Sequence, residues 1–225
     1  MRRILILIAV AGSCPRAADA GFLTFADRAT WQLAAGPLAG VETFNGFTAD
    51  TSFQTNPVAA NNMTFIGSPG INGTTTNKVD VPAFEIGGTL AYDDTAYLLG
   101  DATPTGPLSI QFGVAVSAWG ADFVGIADNR PTALNAFSAS GTLIGSIALA
   151  SDPTGRQKQF YGFATTGGDQ VARITIVTAA INDVFGIDNI AFATPGAVPE
   201  PGSLGLLAGA LGVALAARKL RRAVV

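Results

Sequence analysis

From residue 108 onward, short segments rich in β-branched and aromatic residues recur about every 10–12 residues, with Gly, Pro, Asn or Ser between them. They are LSIQFGV, VSAWGADFVG, TALNAFSASG, TLIGSIALA, QFYGFATT, VARITIVTA and FGIDNIAFA. No helical repeat intervenes, so parallel βαβ units are excluded and the strands must pair antiparallel. In VARITIVTA, Val171, Arg173, Thr175 and Val177 alternate with Ala172, Ile174, Ile176 and Thr178. Such a strand has one face in a core and one outside. AFSASGTLIGS reads as a hairpin turning at Ser140-Gly141. Seven such strands predict an all-β fold, an antiparallel β-sandwich.

The preceding half carries one helical signal, TFADRATWQLAAG. Thr24 and Asp27 have the spacing of a capping box, and Gly36-Pro37 closes the segment. Phe25, Ala29 and Leu33 fall on one helical face, with Trp31 beside it. VETFNGF, MTFIG and KVDVPAFEIGG then read as short strands. The expectation is a sandwich with one short N-terminal helix.

Two absences restrict the chemistry. The chain has no His, and its one Cys is Cys14. A Ser-His-Asp triad, the usual zinc sites and a disulfide framework are therefore excluded from the region beyond the N-terminal segment. Between Gly21 and Ala197 there are six basic against fourteen acidic residues, a net charge of −8. Phosphate backbones need clustered Lys and Arg, so no nucleic-acid partner is expected.

Both ends read as addresses. Arg2 and Arg3 precede an apolar run from Ile4 to Ala11, and Ala18-Asp19-Ala20 has the small-x-small form of a cleavage site. Residues 1–20 thus read as a signal peptide, too short in its apolar run to span a bilayer. At the other end, Ser203 to Ala217 is free of charge and reads as a single transmembrane helix. Arg218, Lys219, Arg221 and Arg222 follow, a basic stop that holds the terminus on the cytoplasmic side. Pro199, Glu200 and Pro201 lie just ahead. The prolines keep that motif extended and accessible, and Glu200 is its one charge.

Val198-Pro199-Glu200-Pro201, the short Gly/Ala/Leu helix and the basic terminus resemble a PEP-CTERM sorting signal. The resemblance implies export, a stay in the inner membrane, and processing near the motif by the membrane enzyme exosortase. The domain reading is 1–20 signal peptide, 21–197 β-sandwich and 198–225 sorting tail. AWGADF, AFSASGTLIGS, FYGF, VARITI and FGIDNIAF resemble the jelly-roll sandwich of PEP-CTERM proteins, itself similar to galactose-binding-like and carbohydrate-binding modules. In such modules an early acidic residue and a last-strand Asp hold a structural calcium ion. Glu42 and Asp188 are the matching positions, with backbone carbonyls completing the shell.

Two further groups come from the residues themselves. Tyr92-Asp93-Asp94 with Asp101 forms an acidic loop with cation-binding chemistry. Trp119 and Tyr161, with Phe123 and Phe163, are candidate platforms for sugar stacking. The expected function is an exported, exosortase-sorted protein of the cell surface or polysaccharide matrix, structural or weakly carbohydrate-binding and not catalytic. The alternatives are a carboxylate-based secreted enzyme of polysaccharide metabolism, which needs two acids roughly 5–10 Å apart, and a permanently anchored protein facing the periplasm.

Overall fold

Two antiparallel sheets, of eight and six strands, pack face to face with one helix on the outside. The computed structural model describes residues 21–67, 76–81, 96–102, 106–126, 131–152, 157–179 and 183–196. The expected signal peptide at residues 1–20, the tail at 198–225 and the Tyr92–Asp94 loop lie outside the described residues. Among the described residues no helix is long and apolar enough to cross a membrane.

The chain runs through β1 (Gly21–Phe25), α1 (Arg28–Ala35), β2 (Gly40–Glu42), β3 (Thr51–Ser52), β4 (Val58–Ala60), β5 (Met63–Ile66) and β6 (Lys78–Asp80). It continues through β7 (Tyr97–Ala102), β8 (Leu108–Val116), β9 (Ala118–Val124), β10 (Thr132–Phe137), β11 (Leu143–Leu149), β12 (Gln159–Thr166), β13 (Val171–Thr178) and β14 (Asp183–Ala193). The first sheet has the order β1-β12-β9-β14-β7-β6-β3, with β2 also on β14. The second has the order β11-β10-β13-β8-β5-β4. Successive strands from β7 to β14 alternate between sheets, except at the β10–β11 hairpin. Each crossover carries an inward face from one sheet to the other, so a single core forms between them.

That core holds Phe65, Leu98, Ile110, Trp119, Phe123, Leu134, Phe163, Ile174, Ile176, Phe185 and Ile187, all fully buried. All seven strands expected beyond residue 108 are present. The hairpin turns where expected, with Gly141 at φ 82° and Ser138 N–H donating to the Thr142 carbonyl. In β13 the alternation breaks once. A register shift between Val171 and Arg173 turns Val171 into the core, while Arg173, Thr175 and Val177 stay on the outer face.

The helix differs from expectation at its start and in its buried face. Thr24 belongs to β1, and Asp27 is the cap, its Oδ1 accepting from Thr30 N–H at 2.8 Å and from Thr30 Oγ1 at 2.7 Å. Leu33 is 86% exposed and Trp31 fully buried. Docking on β9 and β12 selects the stripe Arg28, Trp31 and Ala35, spaced three and four apart.

Candidate functional site

The outer faces of the two sheets are opposite in character. On the first sheet, α1 covers a second apolar cluster, in which Trp31 and Phe160 pack over Ala118, Ala164, Ala191 and Ala193. Trp31 fits because Gly120 and Gly162 beneath it have no Cβ. One added at Gly162 would lie 2.8 Å from the indole, and one at Gly120 would lie 2.5 Å from Phe160. Beside this cluster Arg28 donates through Nη2 to Asp122 Oδ1 and to the Asn189 carbonyl, each at 2.9 Å, and stacks 4.7 Å over Phe160. Asn189, at φ 50°, sits in a register shift of β14 and donates through Nδ2 to both Asp122 and Asp188. Asp122 and Asp188 are cross-strand partners, 8% and 1% exposed. This face is filled by the protein itself.

Glu42 and Asp188 are not brought together. Glu42 pairs in register with Ile190, which points into the core. Asp188 pairs with Asp122 on the outer side. The register shift between Asp188 and Ala191 separates the two faces. Glu42 instead accepts from Phe44 N–H at 2.6 Å and Asn61 Nδ2 at 2.8 Å, which ties β2 to the β4–β5 turn. The register thus sets these two carboxylates on opposite faces of β14. Among the described residues no three His, Cys, Asp or Glu side chains converge on a metal position. Asp101 is fully buried, accepting from Thr76 Oγ1 at 3.1 Å.

The expected stacking platforms also move inward. Trp119 is fully buried between the sheets, near-parallel to Phe163 and edge-on to Phe123. Tyr161 is 7% exposed, its ring against Phe123 and its hydroxyl accepting from Ala150 N–H at 2.8 Å. Burial pushes the Tyr161 phenol above its usual range. Neither ring has a free face for a sugar, because β9 and β12 are interior strands covered on both sides.

The second sheet leaves its outer face open. Cross-strand register arranges the side chains in rows. One row runs Leu143, Phe137, Arg173, Gln111, Thr64 across β11, β10, β13, β8 and β5. The next runs Ser146, Asn135, Thr175, Ser109, Ile66, and a third Ala148, Ala133, Val177. At strand spacings near 4.8 Å, a five-strand row is roughly 19 Å long. Arg173 lies with its guanidinium carbon 4.9 Å from the centre of the Phe137 ring. Ser146 Oγ donates to Asn135 Oδ1 at 2.8 Å. No carboxylate stands in these rows, and Arg173 is their one charge. A cleft of about 600 Å³ opens at the Leu143 end, lined by Ser138, Ser140, Thr142, Leu143, Asp169 and Gln170.

The remaining described cations are paired. Arg28 and Lys158 meet Asp122, at 2.9 and 3.8 Å, and Lys78 meets Asp50 and Asp80 at 2.5 and 2.6 Å. The Lys78 ammonium, with the Val81 N–H, holds the Asp50 carboxyl below its ordinary value of 3.8. A lowered folded value stabilises above the unfolded one and is lost as pH falls through the folded value. The urea midpoint is expected to fall below about pH 4, and Asp50→Asn to flatten part of that slope. An unchanged slope in the variant would show that the Asp50–Lys78 pair contributes nothing.

Alternation in TALNAF and VARITIVTA already points Phe137 and Arg173 outward. Only the register between β10 and β13 sets one over the other.

Fold and faces define an antiparallel β-sandwich with one face sealed by its own helix and one face open and polar. The chain carries a sorting signal as well, since residues 197–222 match the PEP-CTERM protein-sorting motif. No curated protein matches the chain in sequence. Among solved structures, it is similar to the CBM22-1–GH10 modules of Clostridium thermocellum endo-1,4-beta-D-xylanase 10B, complexed with xylohexaose, at 9% identity and TM-score 0.35. That match covers 71% of this chain and 29% of the other. The CBM22-1 xylan-binding domain of Paenibacillus barcinonensis Xyn10C matches at 8% identity and TM-score 0.34, over 72% of this chain and 98% of the other. The enzymatically active domain of bacteriophage CBA120 tailspike protein 4 matches at 10% identity and TM-score 0.33, over 67% and 20%. At such scores the likenesses assign no ligand here.

Proposed function

We propose that this chain is an exported, exosortase-sorted protein of the cell surface or extracellular polysaccharide matrix, with a jelly-roll body that binds carbohydrate and does not catalyse its cleavage. The observation that carries the reading is the sorting motif at residues 197–222. Residues 1–20 direct export, the apolar stretch from Ser203 to Ala217 parks the chain in the inner membrane, and exosortase acts near Pro199-Glu200-Pro201. The open polar face supports the binding part. The neighbouring carboxylates Asp122 and Asp188 support the non-catalytic part, since both are buried and engaged by Asn189. An acid pair for glycoside cleavage has to reach a sugar and a water.

Mass-spectrometric mapping of both termini in protein from the native host tests this reading. The expected chain starts at Gly21 and stops within residues 199–201. Replacing Pro199, Glu200 and Pro201 together by Ala is expected to leave peptides from Ser203 to Val225 attached. If the unaltered chain keeps those peptides, the tail is a permanent anchor and the protein faces the periplasm from the inner membrane.

A further inference from the structure

The unaccompanied charge on the open face narrows the class of ligand. Arg173 is exposed, makes no ion pair among the described residues and lies over Phe137, while the other described cations each meet a carboxylate. In a body of net charge −8, Arg173 is the described cation that meets no described carboxylate within salt-bridge distance. We propose that the outer face of the second sheet binds a strand of acidic, uronate-bearing polysaccharide, with a uronate carboxylate on the Arg173 guanidinium.

The chemistry follows from the rows. The ring of Phe137 supports one face of the guanidinium and leaves its N–H edge for a planar carboxylate, which it can bind through two parallel hydrogen bonds. Gln111 and Thr64 continue the row on one side, and Asn135 and Ser109 lie alongside it, flanking the buried Thr175. Amides and hydroxyls of this kind donate to and accept from sugar hydroxyls. Leu143, exposed at the end of the row, gives the apolar C–H face of a pyranose a surface to lie on. A neutral polymer would use the amides and hydroxyls equally well but would leave Arg173 unanswered. A phosphate-rich polymer would need several cations, and these rows hold one. The Asp169 carboxylate in the adjoining cleft places the anionic contact in the row and outside the cleft.

This inference rests on the carbohydrate-binding reading above and specifies its ligand. The test is affinity electrophoresis of the full chain, in gels carrying polygalacturonate, dextran sulfate or dextran. Polygalacturonate is expected to retard the chain, less so as salt rises. Arg173→Gln is expected to weaken that retention about tenfold, the usual scale for losing a charge-assisted contact. Phe137→Leu keeps apolar volume, removes the ring under the guanidinium, and is expected to weaken retention as well. Lys158→Gln, on the other sheet, is expected to leave retention unchanged, and equal urea midpoints confirm that all variants are folded. Dextran retarding the chain as strongly, with no effect of Arg173→Gln, would overturn the uronate assignment and leave carbohydrate binding standing. Equal or stronger retention by dextran sulfate would also overturn it, assigning Arg173 to sulfate esters. No retention by any of the three polymers would overturn it too, and failure to bind the host's own polysaccharide as well would remove the carbohydrate-binding reading.

Discussion

Trp31→Ala is expected to destabilise the fold by about 3–5 kcal/mol, the cost typical of truncating a fully buried aromatic. Trp31 is the one buried residue of α1. Its Nε1–H donates to the Phe163 carbonyl at 2.9 Å, and its ring meets Phe160 at 5.6 Å between centroids. Gly120 and Gly162 leave a cradle that Ala cannot fill, so a cavity remains above β9 and β12. The helix has eight residues and would not persist alone in water, so its presence depends on this anchor. Urea titration followed by far-UV circular dichroism measures the loss. A midpoint shift worth less than about 1 kcal/mol would mean that the helix is not docked as described.

Arg28→Ala is expected to cost about 2–3 kcal/mol, below the range for a fully buried pair because the arginine side chain is 29% exposed. The loss exceeds that of a surface salt bridge because Asp122 is 11% exposed at its side chain and has buried Asp188 beside it. Removing the guanidinium leaves Asp122, beside Asp188, with the Lys158 ammonium at 3.8 Å, and strips a donor from the Asn189 carbonyl at the β14 register shift. Arg28→Lys is expected to recover less than half, since an ammonium has no planar face to stack on Phe160 while it donates to Asp122 and Asn189. A double-mutant cycle with Asp122→Asn isolates the pair. Near-additive losses would refute the coupling and assign the cost of Arg28→Ala to lost packing on Phe160.

Much of the β-half was legible because its pattern is local. TALNAF and LSIQFGV alternate buried and open positions over most of their length, since the outer face of the second sheet meets solvent. AWGADFV shows no such alternation, because β9 is buried on both sides, under α1 outside and against the second sheet inside. That double burial is why Trp119 and Tyr161 read as surface platforms and proved to be core. Glu42 and Asp188 stand on opposite faces for a related reason. Which face Asp188 takes depends on an irregularity at Asn189, where a left-handed backbone reverses the alternation before Ile190. Nothing in FGIDNIAF shows that reversal.

By itself, the sequence determined an all-β body without His or Cys chemistry, a strand-by-strand order beyond residue 108, and a PEP-CTERM tail, because each depends on composition or on residues adjacent in the chain. The tertiary structure alone decided which face is sealed and which is open, that Trp31 rather than Leu33 anchors the helix, and that Arg173 sits over Phe137 while Glu42 and Asp188 part. Those are matters of register and packing between strands distant in sequence, and a shift of one residue in register exchanges the two faces of a strand.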